Sequence, residues 1–315
     1  MRFTPVYLSH RRTLNCLCGN ARGITIRRRD RYGLRFSYKL CLECGHVRTS
    51  DPLSNESEKI FYNSSDYRKM YFPGESPSQV LHRKVSGQSH QSSLLKYVER
   101  LHPEPGTILE WGCGGGWNLI PFRDAGWETL GFDYDSAYIS LGREYHGLNL
   151  QQITSGVNSS TIGSLPDVIL LNHVLEHSSN PVELLQLLRD LSGPNTLIVV
   201  GVPLLETIRQ WHWNDFFHVA HIHYFSADSL RKVAIRAGLR LVDESVVQGL
   251  FAFAVQGSSG DSWSGVRLRT VMKSSILLFR GWIDVEFRLR AFVRGILKVT
   301  RLLGLARRIR SITKR

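Results

Sequence analysis

Residues 107–119 read TILEWGCGGGWNL. A short run of strand character, Thr107 to Trp111, passes into four glycines, Gly112, Gly114, Gly115 and Gly116, at a point where a helix is expected to begin. Glycine reaches positive φ at little steric cost and lets a ligand approach the backbone closely. In an open α/β sheet, ligands bind at the carboxyl ends of the strands. A dinucleotide fingerprint, G-x-G-x-x-G, fails in both frames, because its third glycine would fall on Trp117 or on Leu119. The spacing that fits is acid-x-G-x-G-x-G, with Glu110, Gly112, Gly114 and Gly116. The next β-like run, WETLGF at 127–132, leads into Asp133. A carboxylate about 20 residues beyond the loop is placed to accept from both hydroxyls of a ribose.

Working outward, further β-like runs occur at 167–172 (DVILLN), 196–202 (TLIVVGV), 239–245 (LRLVDES) and 250–255 (LFAFAV), with a weaker one, NLQQIT, at 149–154. Helical stretches such as PVELLQLLRDL (181–191) and SADSLRKVAIRAG (226–238) separate most of them. That alternation predicts βαβ units and a parallel sheet covered on both faces. Only Val246 to Gly249 separates the last two runs, too short for a parallel crossover, so that pair is expected to be antiparallel. The expected fold is α/β: a Rossmann-like, seven-stranded, mostly parallel sheet ending in an antiparallel hairpin. The expected organisation is a small cysteine-bearing module at 1–62, a helical connector at 63–103 and the sheet domain at 104–258. A turn-rich linker at 256–265 and basic helices at 266–315 follow. Within the connector, the polar, Ser/Gln-rich passage Ser76 to Ser93 leads into the helical pattern SSLLKYVERL.

EWGCGGG, GFDYD, DVILLNHVLEHSSNP, TLIVVGVP and HIHYFSADSLRKVAIRAGL, in that order, resemble the class I S-adenosylmethionine-dependent methyltransferases over about residues 104–256. The resemblance implies S-adenosylmethionine as cofactor. It assigns Glu110 and the glycines to the methionine end, Asp133 to the ribose, and Leu171 and Asn172 to the neighbourhood of the sulfonium. The chemistry agrees, since this cofactor carries an ammonium and a sulfonium but no pyrophosphate. One departure is visible: GVNSSTIGS (156–164) lacks the acid that often meets the adenine amine in this family.

Four of the five cysteines form two pairs, Cys16-Leu-Cys18-Gly and Cys41-Leu-Glu-Cys44-Gly, 22 residues apart. Paired thiols followed by glycine suit a tetrahedral thiolate zinc site, although C-x-C is a less common spacing than C-x2-C. The alternative is four buried thiols. The surrounding CLCGN, RDRYG, LCLECGHVRTSDPLS and FYNSSDYRKMY resemble the zinc-ribbon-like leader of bacterial methyltransferases linked to sugar and polysaccharide synthesis. That resemblance implies a leader that helps cover the substrate side. Cys113, in the glycine loop, is read as a small buried residue.

Methyl transfer to a hydroxyl requires removal of a proton, and histidine is the commonest base near neutral pH. His173 and His221 are the candidate bases, among His173 and His177 after one strand and His212, His218, His221 and His223 after the next. His173, Glu176 and His177 stand at i, i+3 and i+4, so in a helix they share one face and could hold a metal. Some quinone-type O-methyltransferases carry acids with a histidine in this block. The other reading is that Glu176 and His177 cap and pack the element. WHWNDFFHVAHIHYFS, dense in aromatic and imidazole groups, stands where related enzymes build an acceptor wall, and packing is the competing role for each histidine there.

The chain has 315 residues, 42% apolar and 21% charged, which excludes a wholly disordered or collagen-like protein. Five cysteines are too few for a secreted disulfide scaffold. MRFTPVYLSHRR has no apolar signal core, and the longest apolar run, Thr196 to Leu205, is far below the roughly 18 residues of a membrane span. The expected compartment is the cytoplasm. Of the net charge of +13, residues 266–315 carry +12, with fourteen Lys and Arg against Asp284 and Glu286. From Trp282 the apolar positions follow a helical period, with arginines on the other side. Three roles are open for this tail: a peripheral anchor on an anionic membrane surface, a helix packed on the protein or a second subunit, or a nucleic-acid contact. The nearly neutral body disfavours the last. The function expected is methyl transfer to a small-molecule or glycan acceptor, a sugar nucleotide or lipid-linked saccharide foremost, to oxygen rather than carbon. An RNA methyltransferase, a quinone-type O-methyltransferase and a non-catalytic binding protein are the alternatives.

Overall fold

A computed structural model describes residues 10–256 except 64, 88, 155–161 and 209–212. The basic tail 266–315, His212 and most of the 156–164 loop lie outside the described residues. The strands are β1 (Gly23–Arg29), β2 (Arg35–Cys41), β3 (Val47–Thr49), β4 (Thr107–Trp111), β5 (Glu128–Asp133), β6 (Asn149–Gln152), β7 (Val168–Asn172), β8 (Leu197–Gly201), β9 (His223–Tyr224), β10 (Leu239–Ser245) and β11 (Leu250–Val255). The helices are α1 (Asn55–Asn63), α2 (Ser65–Tyr71), α3 (Pro77–Ser86), α4 (Ser89–Leu101), α5 (Ile120–Asp124), α6 (Ser136–His146), α7 (Pro181–Asp190), α8 (Trp213–Phe216) and α9 (Ala227–Arg236).

The main sheet has the order β10-β11-β8-β7-β4-β5-β6. β4 pairs in parallel with β5 and β7, and β5–β6 and β7–β8 are also parallel. β10 and β11 form the expected antiparallel hairpin, and β11 inserts beside β8 so that β10 becomes the edge. The seven-stranded, mostly parallel architecture is therefore as expected. Apolar residues alternate between the two faces with the strand period of two. Leu109, Ile169, Leu171, Ile198 and Val200 join a core with Leu185, Leu188, Leu230 and Val233 from α7 and α9. Ile108, Val168, Leu170 and Val199 join the opposite core with Leu94 and Val98 of α4 and Phe122 of α5. Each such side chain, fully buried, contributes about 1.5–3 kcal/mol. The chain runs from β4 outward to β6, then returns to place β7 on the other side of β4. That reversal opens a crevice at the carboxyl ends of β4 and β7.

The leader does not stand apart from the main domain. Its sheet has the order β1-β2-β3-β9, and β9 comes from residues 223–224, between β8 and α9. Phe36, Tyr38, Leu40, Val47, Phe61 and Met70 pack with Phe216, Phe217, Val219 and Tyr224 in one core. Part of the aromatic segment read as an acceptor wall is thus the floor of the leader.

Two local features sharpen the sequence reading. The passage Ser76 to Ser93 is largely helical: Ser76 caps α3, and Gln79 completes a reciprocal capping box. The glycine loop opens through turns into a helix of only five residues, α5. Among the described residues no helix is long and apolar enough to cross a membrane.

Candidate functional site

Glu110 is the penultimate residue of β4 and is fully buried. One carboxylate oxygen, Oε1, accepts from Asn118 Nδ2 at 2.6 Å. The other, Oε2, is buried with no hydrogen-bond partner. Burial pushes this carboxyl up to about 8; the Asn118 bond opposes the rise and the negative charge of Asp133 adds to it. An unpartnered buried acceptor is costly, and it suits a cationic donor. Asn118, which orients Glu110, escaped the sequence reading because nothing in an eight-residue separation marks it.

The chain turns away from Glu110 through Gly112 at φ 74°, and Gly114 and Gly116 also adopt positive φ. A Cβ on Gly112 would stand 2.5 Å from Val174 Cγ2, so glycine is required there by packing as well as by conformation. The amides of Gly112 and Cys113 donate to Phe132 O at 2.7 and 3.0 Å. The Gly114 amide donates to Asp133 Oδ2 at 2.7 Å. Asp133 Oδ1 accepts from the Asp135 amide at 2.8 Å. Burial raises the Asp133 pKa and those amides hold it back. The two acids are therefore tied to one loop, one on each side of it. Asp135 caps α6 through the Ala137 and Tyr138 amides, and Arg68 of α2 forms an ion pair with its other oxygen. Arg68 is a further residue the sequence reading did not single out.

Across the crevice, Asn172 ends β7 opposite Gly201 of β8. His173 follows at φ 58°, the only non-glycine with positive φ among the described residues. Its amide donates to Gly201 O at 2.8 Å, so the β-ladder register holds it in this sparsely populated region. Leu175–His177 is a 3-10 turn, so the α-helical condition under which His173, Glu176 and His177 would share one face is not met. The side chains still converge, because His173 Nδ1 lies 3.3 Å from Glu176 Oε1 and His177 Nε2 lies 4.0 Å from the same atom. His221 is half-buried, its ring edge-on to His177 at 4.8 Å between centroids and 5.2 Å from His218. Burial and the neighbouring imidazoles hold His221 well below its usual pKa, so it is neutral at pH 7. His218 and His223 are buried among leader residues, the latter 3.0 Å from His46.

A row of tyrosines from α1 and α2 faces these histidines. Tyr62 and Tyr67 lie 4.9 Å apart, Tyr67 and Tyr71 4.8 Å, and Tyr71 and His218 4.6 Å. Tyr62 Oη reaches to 3.3 Å from His177 Nδ1. The Tyr67 hydroxyl is pushed up by burial and then by the negative charges of Asp133 and Glu176.

The four leader cysteines converge as expected. Cys16 and Cys44 sulfurs are 3.4 Å apart, Cys18 and Cys41 sulfurs 3.7 Å, and all four lie within 4.8 Å of one another. Four sulfurs at about 2.3 Å from one zinc stand about 3.8 Å apart, so the set fits that ion. The Glu43 amide points at Cys41 Sγ at 3.4 Å. Cys113 is buried, as expected.

Residues 87–244, just over half of the chain, match the model of a family described as a methyltransferase domain. A comparison with curated proteins gives no match. Solved structures similar to the chain include magnesium protoporphyrin IX methyltransferase from Synechocystis PCC 6803 with bound SAH. That likeness has 16% identity and a TM-score of 0.45, over 64% of this chain and 100% of the other. Another is 1,6-didemethyltoxoflavin-N1-methyltransferase from Burkholderia thailandensis, with 15% identity and a TM-score of 0.46, over 66% of this chain and 92% of the other. An O-methyltransferase family protein from the same organism has 13% identity and a TM-score of 0.45, with 64% of each chain covered. The family model spans the glycine loop, the two acids and the parallel sheet, and its match establishes that the chain belongs to the methyltransferase-domain family.

Proposed function

We propose that the protein methylates an oxygen of a small-molecule or glycan acceptor, foremost a sugar nucleotide or lipid-linked saccharide, and that it works with a structural zinc in its leader. The observation that carries the cofactor half of this reading is the buried, unpartnered Oε2 of Glu110 at the sheet's reversal point. S-adenosylmethionine supplies the electrophilic methyl carbon. Glu110 binds the ammonium at the methionine end, with Gly112, Gly114 and Gly116 letting that end approach the backbone. Asp133 accepts from the ribose hydroxyls with the lone pairs its two amide donors leave. Asn172 lies alongside the sulfonium. His173 or His221 takes the proton of the acceptor hydroxyl; neutral His221 is in the right state to do so at pH 7.

The tyrosine row supports the acceptor class. Aromatic faces bury the apolar side of a sugar ring while their hydroxyls meet its polar rim. In this reading residues 1–62 are the leader, 63–103 the connector, 104–258 the catalytic domain and 266–315 a basic tail. The arginine-rich pattern of the tail supports a peripheral contact with anionic lipid.

Titration calorimetry with S-adenosylmethionine tests the cofactor half. The wild type is expected to bind, and Asp133→Ala to bind roughly 10- to 150-fold more weakly, because it loses charge-assisted hydrogen bonds worth about 1.5–3 kcal/mol. Equal affinity of the two proteins would remove Asp133 from the ribose site. Absence of measurable binding by the wild type would end the methyl-transfer reading.

A further inference from the structure

The Glu176 carboxylate, in the 3-10 turn after β7, is 1% exposed. Its Oε1 lies within reach of His173 Nδ1, whereas its Oε2 is buried and has no partner. One ligand atom each from Glu176, His177 and His221 lies within 4.8 Å of the others. These three residues come from two segments, the 3-10 turn after β7 and the loop before β9. The pairing of Ile222 N with Glu176 O at 2.9 Å fixes one segment against the other.

The tautomer of His177 is set by its surroundings. Its Nδ1 lies 2.9 Å from Ala220 O, and a carbonyl can only accept, so Nδ1 carries the proton and Nε2 presents its lone pair. A backbone carbonyl on the far nitrogen is the arrangement that orients metal-binding histidines. Two ligands on one ion at about 2.1 Å stand about 3.0–3.4 Å apart. The 4.0 Å between His177 Nε2 and Glu176 Oε1 therefore closes with small side-chain rotations.

We infer that Glu176, His177 and His221 form a second metal site, for a divalent cation of borderline character, on the floor of the acceptor pocket. Two imidazoles and one carboxylate select zinc, cobalt or manganese over calcium or magnesium, whose preferred ligands are all oxygen. Three protein ligands leave coordination positions open, and an acceptor hydroxyl bound at one of them would become more acidic. With His221 engaged, the proton falls to His173. Its Nδ1–H donates to Glu176 Oε1, which leaves Nε2 as the accepting nitrogen. The role in catalysis rests on the methyl-transfer reading, whereas the binding of the ion does not.

The test is cobalt(II) titration of the purified full-length protein with its leader zinc in place, followed by absorption spectroscopy and metal analysis. The expected result is one further equivalent, with d–d bands but without the thiolate charge-transfer bands of a cysteine site. Glu176→Gln and His221→Gln should each lose that equivalent while retaining the leader zinc and S-adenosylmethionine binding, which verifies that they fold. Saturation by the leader equivalent alone, in a protein that still binds S-adenosylmethionine, would overturn the second site and leave the methyltransferase reading intact. Retention of the second equivalent in both variants would overturn the ligand assignment. A second equivalent in a protein that does not bind S-adenosylmethionine would uphold the site and sink the catalytic reading instead.

Discussion

The cysteine cluster of the leader and the cofactor crevice of the main sheet hold their polar groups in opposite ways. In the leader, four sulfurs face one another from two turns, and the contacts at the centre of the cluster are between sulfurs. In the crevice, the loop is fixed by bonds that need no ligand, from the Gly112 and Cys113 amides to Phe132 O and from the Gly114 amide to the Asp133 carboxylate. Only one oxygen of Glu110 is left over. On the proposed zinc reading, the contrast teaches that the leader would depend on the ion at its centre, whereas the crevice loop is held by its own hydrogen bonds and a ligand would complete it. Metal removal should therefore change structure, and cofactor removal should change protonation.

The largest expected effect belongs to the leader. Cys41→Ser/Cys44→Ser should lose about one equivalent of zinc. Because structural zinc sites contribute apparent free energies of about 10–16 kcal/mol, the leader should lose its order. Metal analysis and a thermal melt check this. Since β9 lends a strand to the leader sheet, the melt should also show a destabilised main domain rather than a separate early transition. A variant with unchanged melting and unchanged metal content would return these residues to buried thiols.

The next effect is smaller and belongs to the crevice. The Glu110 pKa, about 8 in the free protein against an ordinary 4.5, is raised by burial. Its contribution to the free protein's stability is therefore complete below about 4.5 and is lost as the pH climbs towards 8. An ammonium beside Oε2 favours the carboxylate and draws the pKa down. Binding of S-adenosylmethionine at pH 7 should then release close to one proton, and affinity should rise by up to about tenfold per pH unit towards pH 8 before levelling. Calorimetry in two buffers of different ionisation enthalpy measures the proton directly. Glu110→Gln should abolish the release and flatten the stability profile between pH 4.5 and 8. Proton release that persists in Glu110→Gln would assign it to another group.

The same division between local and distant contacts explains what could be read from the sequence. The strands were legible because each is a short apolar run ended by glycine or a polar turn: 107–111, 239–245 and 250–255 were read to the residue. The glycine loop and its two acids lie on consecutive strands, so their spacing alone encodes the crevice. The helix at 77–86 lies beneath a polar surface, and its clearest mark in the sequence is the capping box spelled by Ser76 and Gln79. The pairing of Val47 and Arg48 with His223 and Tyr224 joins residues from either side of β4 to β8, and no local pattern marks it. Likewise, the positive φ of His173 goes with its bond to Gly201 on the neighbouring strand, a contact that no local pattern marks.

The smallest expected effect lies where the two regions meet. Arg68 of α2 pairs with Asp135, the residue that caps α6 two positions beyond Asp133. Both side chains are mostly buried, at 24% and 15% exposure, yet each retains contact with water, so the pair is worth about 0.5–1 kcal/mol. Arg68→Ala leaves the Asp135 cap intact, because Oδ1 makes those bonds and Oδ2 meets the arginine. The helix should therefore persist, and the loss should appear as a two- to fivefold weaker affinity for S-adenosylmethionine, through a looser fit of the leader over the ribose side. Asp135→Asn in the Arg68→Ala background should add little, since the partner charge is already gone, and the double-mutant cycle reads that coupling. A preformed crevice predicts that proton release at Glu110 is unchanged in Arg68→Ala. If the release fell along with the affinity, the crevice would need the leader to take its shape, and the distinction between the two regions would fail.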